Sequence, residues 1–220
     1  MMFFLGPVIS GLTSLASTIG PVVAKVATTI VTKLPEITRT IIKVAEVISE
    51  VAKILGMNEH ETPEVIGAKM QQEGTRGRLD DESMEEYLSY LREEIKLDKE
   101  KMLNMSDEDR VKCTAIGIGA LSQTINEKFD VKLSGDFIVD MNKMQMTAQE
   151  IASYVKKFEC KGIESMDTLS DFLHDKLSDA EKQQVYETIT EVENELSPQA
   201  TQSDVNERIE AMKDALDVSE

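Results

Sequence analysis

The sequence predicts an all-α protein, and three observations carry that prediction. Apolar residues recur every three or four positions through most of the 220-residue chain, the spacing that keeps side chains on one face of a helix. Ser or Thr stands three residues ahead of an acid at Ser106, Thr147 and Ser178, each time opening an apolar stripe, which is the signature of a helix N-terminus. Aromatic residues make up 5%, Trp is absent and charged residues make up 30%. That composition suits long helices better than a β-sandwich, which draws on aromatic and β-branched residues.

Charge divides the chain unevenly. Residues 1–56 carry five bases and three acids, a net of +2, while residues 57–220 carry 19 bases and 38 acids, a net of −19. The larger part is an anion, which disfavours nucleic acid as a partner because phosphate contacts need a basic patch. Contact with an anionic surface would fall to the N-terminal part.

That part is the most informative. Residues 1–24 contain no charged side chain. A secretory signal would begin with a basic region, and none precedes Lys25. A spanning helix needs about 20 mainly apolar residues, and Gly6, Pro7, Gly11, Gly20 and Pro21 interrupt the run. An amphipathic stripe fits better: Val8, Leu12, Leu15, Ile19, Val22, Val26, Ile30, Leu34, Ile37, Ile41, Val44 and Ile48, continuing to Val51 and Leu55. Pro7, Pro21 and Pro35 recur every fourteen residues, two heptads, so successive blocks aim their stripes in nearly one direction, as in a coiled coil. Pro is tolerated at the first helical position, where its missing N–H had no partner. The prolines therefore predict three helices near 7–19, 21–33 and 35–55, with Glu36 as an acid at the third N-terminus. A single rod kinked about every 21 Å, at 1.5 Å per residue, is the alternative.

Residues 57–80 read as a connector: a short helix at 63–73 opened by Thr62 and Pro63, then a Gly-bearing loop at 73–81. Residues 81–197 form an acidic helical domain with helices near 82–96, 107–129, 148–159, 166–176 and 179–196. Gly117 and Gly119 inside the second of these predict close approach by a neighbouring helix. They do not make a phosphate loop, having no strand before them and no Lys-Ser/Thr after them. Residues 131–146 admit either a small hairpin or a short helix from 136. Residues 198–220 give a linker and a last helix near 204–216.

Nothing in the sequence points to catalysis, and the chain reads as non-enzymatic. His60 reads as an exposed loop residue and His174 as a partly packed helix residue; two distant histidines do not make a zinc site. The acidic clusters lack the spacing and central Gly of a calcium loop. No cofactor and no metal are therefore expected. Cys113 and Cys160 each lie in an apolar-periodic stretch and read as reduced core residues, which favours a reducing compartment or an assembled particle. Tyr87 and Tyr90 read as one packed and one exposed residue.

The functional expectation is a structural or assembly protein. Its N-terminal repeat would bury itself in a protein partner, in copies of itself or in a larger particle of viral, phage-like or injection-system type. Small residues along that repeat favour close helix packing. Membrane insertion or pore formation through residues 1–56 is the alternative, weakened by the scarcity of Lys, Arg and Trp in the first two blocks.

Overall fold

The computed structural model describes residues 5–57, 61–74 and 76–217. Twelve α-helices and no strand occur among them, so the fold is all-α. In chain order they are α1 (Leu5–Ile19), α2 (Pro21–Lys33), α3 (Ile37–Ile54), α4 (Pro63–Glu73), α5 (Met84–Glu94), α6 (Lys99–Leu103), α7 (Asp107–Phe129), α8 (Gly135–Lys143), α9 (Ala148–Lys161), α10 (Asp167–Leu173), α11 (Asp179–Leu196) and α12 (Gln202–Asp217).

The helix ends follow local chemistry. Thr62, Ser83, Asp98, Ser106, Ser134 and Thr147 each accept a hydrogen bond from the first turn of the helix they precede, satisfying donors that have no helical partner. Ser83 with Glu86, Thr147 with Glu150 and Ser178 with Glu181 complete reciprocal capping boxes. Gly74 and Gly162 close α4 and α9 in the left-handed conformation.

The organising element is α7. Its residues from Cys113 to Ser122 are all buried, so it is wrapped on every side rather than amphipathic. Helices α1, α2, α3, α4, α5 and α9 pack around it. A helix this enclosed needs small residues where neighbours cross. An added Cβ on Gly117 would lie 1.9 Å from the Pro63 carbonyl oxygen, and one on Gly67 1.8 Å from that of Cys113. On the opposite flank, α9 packs against α3 and α11, and α10 and α12 close the assembly against α8 and α11.

One apolar cluster runs from Val8 to Leu216. Residues 57–80 therefore mark a change of composition and not a break in packing. The loop after α4 is fastened to the body: Glu73 accepts from Arg76 N and Gly77 N, and Arg76 pairs with Glu82 at 2.8 Å.

One open reading resolves to its helical alternative, and three others change. Residues 131–139 make no hairpin: Lys132 bridges Ser165 instead, and α8 follows at once. The local apolar pairs suit either form, and the distant partner decides. Pro35 does not open α3; Glu36 sits left-handed at φ 43°, and the helix begins at Ile37. Cys160 is exposed near the C-terminal end of α9, because the core-facing side of that helix is taken by Ile151, Tyr154, Val155 and Phe158. His174 is an exposed cap on α10, its Nδ1 2.8 Å from the Ser170 carbonyl. His60 lies outside the described residues.

Candidate interaction surface

The N-terminal apolar stripe is spent inside the molecule. Val8, Leu12, Ile19, Val26, Ile30, Leu34, Ile37, Ile41, Val44 and Ile48 are buried, and Leu15 is half-buried. Val22 is the exception at 44% exposure. The cause is local. Gly20 takes φ 85°, a conformation open to glycine, and turns the chain between α1 and α2. Pro21 then opens α2 at its first turn, and the register resets so that Val23 and Ala24 face inward in place of Val22.

What these helices leave outside is a different surface. Along α1 the exposed positions are Gly6, Pro7, Ser10, Thr13, Ser14 and Ser17. None is charged, in a chain with 30% charged residues. A trough of about 270 Å³ continues this face between α1 and α2, lined by Thr13, Ala16, Ala24, Lys25, Thr28, Thr29 and Thr32. The loop carrying Gly77 packs on the end of α1 at Thr18. It brings Leu79, 48% exposed, to the same end of the molecule as Val22.

Three hydroxyls of this face are bonded within their own helices. Thr13 Oγ1 donates to the Ile9 carbonyl at 3.0 Å, Ser14 Oγ to Gly11 at 2.9 Å and Thr32 Oγ1 to Thr28 at 2.9 Å. Such back-bonding satisfies the donor within its own helix. A surface whose donors are satisfied internally loses less on leaving water than one with free polar groups.

Much of the remaining surface is charged and laced with ion pairs. Lys157 and Lys161 of α9 meet Glu191 and Glu195 of α11. Arg208 of α12 binds Glu150 at 2.6 Å and approaches Glu193 at 3.9 Å. Tyr154 is buried beside this group with its hydroxyl unbonded, and burial pushes its phenol well above the ordinary range. Burial likewise raises the Glu193 carboxyl, opposed by Arg208 and reinforced by Glu150.

Tyr87 is buried and Tyr90 is half-buried beneath Arg76, whose guanidinium lies 4.0 Å from the Tyr90 ring centre. The two rings stack at 6.2 Å, and the Tyr87 hydroxyl donates to Glu73 at 3.3 Å. This arrangement closes the loop after α4. Periodicity could not reveal it, because Arg76 lies outside any stripe.

Among the described residues, no three metal-ligating side chains cluster, and no helix is long and apolar enough to cross a membrane. No protein-family model, curated protein or solved structure matches the chain.

Proposed function

We propose that this protein is a non-enzymatic assembly component that joins copies of itself through the uncharged outer face of α1. The observation that carries the reading is the absence of charge along the exposed side of α1, in a chain of net charge −17. Two such chains repel each other over most of their surface. The α1 face is where they can meet without setting acid against acid, and depletion of charge is what distinguishes the centre of an interface. Internally bonded hydroxyls lower its desolvation cost.

The apolar stripe takes a different role in this reading from the one its periodicity suggests. It holds α1–α3 onto α7, and the outer face of α1 does the docking. Membrane insertion draws less support, because the side chains that would enter lipid are in the core and would have to leave it first.

The test is light scattering after size exclusion, with vesicle flotation, on the full chain and on a Ser14→Glu/Ser17→Glu variant. Both positions are exposed, so the fold should tolerate the change. An oligomer at low micromolar protein that becomes monomeric in the variant at the same concentration, with neither protein floating, supports the reading. Flotation lost in the variant would transfer the face to lipid. A full chain that is monomeric at every concentration contradicts self-assembly.

A further inference from the structure

We infer that copies of this chain also join head to tail, the apolar tip around α6 of one copy entering the groove between α3 and α8 of the next. The tip is built to protrude. No residue of α6 is buried, and the helix is held by its own cap, Asp98 accepting from Glu100 N and Lys101 N. Leu103 is 80% exposed, far more than any other large apolar side chain described, and Met102 and Met105 flank it half-buried. An isolated exposed leucine needs no explanation. Three apolar side chains together on a five-residue helix and its exit do, because their burial within the chain is incomplete.

The groove has about 620 Å³ of space. Val44, Met141 and Met146 line its floor, and Arg39, Lys43 and Gln145 are on its rim. That floor is itself covered, so the apolar side chain open to a leucine is Val47, half-buried on α3, beside the aliphatic stems of Arg39 and Lys43.

Charge makes the match directional. Residues 98–109 carry five acids and two bases, a net of −3. The groove lining carries Arg39 and Lys43 against Glu36, a net of +1. The Arg39–Glu36 pair is 83% and 71% exposed on its two sides. Exposed pairs of this kind contribute little, so Arg39 can exchange Glu36 for an acid of the incoming tip at small cost. A heterologous contact of this type repeats from copy to copy, giving a ring or an open chain. The contact is small, so association is expected at about 10–500 μM, the weak end of specific interfaces.

The contact is independent of the α1 face, and the experiment separates the two. Sedimentation velocity is run on the full chain carrying Ser14→Glu/Ser17→Glu, which blocks the α1 face. Concentration-dependent association should persist in that background. Adding Leu103→Asp should weaken it at least tenfold, and so should adding Arg39→Glu/Lys43→Glu. A mixture of these last two proteins retains one intact tip and one intact groove and should form a 1:1 dimer that grows no further. Circular dichroism checks that each variant is folded. A background protein that is monomeric throughout, or association indifferent to Leu103→Asp, overturns the inference while leaving the α1 face untouched. Vesicle binding abolished by Leu103→Asp would also overturn it, giving the tip to lipid.

Discussion

Gly117 of α7 and Pro63 of α4 are in such close backbone approach that a Cβ on Gly117 would stand 1.9 Å from the Pro63 carbonyl oxygen. The crossing is reciprocal: a Cβ on Gly67 would meet the Cys113 carbonyl at 1.8 Å. Backbone cannot swing aside as a side chain can. Gly117→Ala and Gly67→Ala should each destabilise the fold by about 3 kcal/mol or more, the upper range for overpacking. Gly6→Ala is the control, since nothing lies within 4 Å of its added Cβ. Urea unfolding followed by circular dichroism checks all three. Equal midpoints for Gly6→Ala and Gly117→Ala would refute the close crossing.

Ile19 and Val26 face the core at 1% and 4% exposure. Asp at either site buries an unpaired carboxylate, which is strongly destabilising. Each variant should lose its cooperative thermal transition, while Ser14→Glu keeps it. A well-folded Ile19→Asp protein would mean that the stripe faces outward.

The thiols should separate by reactivity. Cys160 is exposed, and burial pushes the Cys113 thiol up to about 11. Since the thiolate is the reactive form, a disulfide reagent at pH 8 should label Cys160 within minutes and Cys113 on unfolding. Labelling of two thiols at one fast rate in the native protein contradicts the packing of α7.

Acidity should act in two directions. The Glu193 carboxyl is raised by burial above its ordinary 4.5, with Glu150 and Tyr154 of α9 and Arg208 of α12 around it. The folded state then holds a proton that the unfolded state releases, so Glu193 costs stability as pH rises through its folded value. Glu86 and Glu181 are held below 4.5 by hydrogen bonds from the side chain and then the backbone of Ser83 and Ser178. Their contribution is present above the unfolded value and is lost as pH falls through the folded one. The contribution of these three groups should therefore rise as pH falls through the folded value of Glu193 and decline as pH falls further through those of Glu86 and Glu181. Glu193→Gln should flatten the upper limb and leave the acid limb in place. Urea midpoints from pH 3 to 8 test this, and an unchanged upper limb in Glu193→Gln would remove Glu193 as its cause.

Much of the architecture was legible because helix ends and stripes are local. Ser106, Thr147 and Ser178 announce α7, α9 and α11 through chemistry confined to four residues. Gly117 and Gly119 inside a helical pattern indicated a close neighbour, although not that α4 supplies it for Gly117 and α2 for Gly119. What the stripe of residues 1–56 could not show is its partner. An apolar face reads the same whether it meets lipid, another chain or α7. The α1 face was legible only as missing charge, since its internal hydroxyl bonds depend on rotamers. The α6 tip carries too few residues for any period.

The central claim is that the outer face of α1, and not its apolar stripe, is where copies meet. The most direct measurement is cross-linking from single cysteines in a Cys160→Ser background, comparing Ser10→Cys, Ser14→Cys and Ser17→Cys with Glu187→Cys, exposed on α11. A short bifunctional maleimide at micromolar protein should yield covalent dimers from at least one α1 position, with Glu187→Cys remaining monomeric. Equal dimer yields from both helices, or none from α1, would contradict the claim.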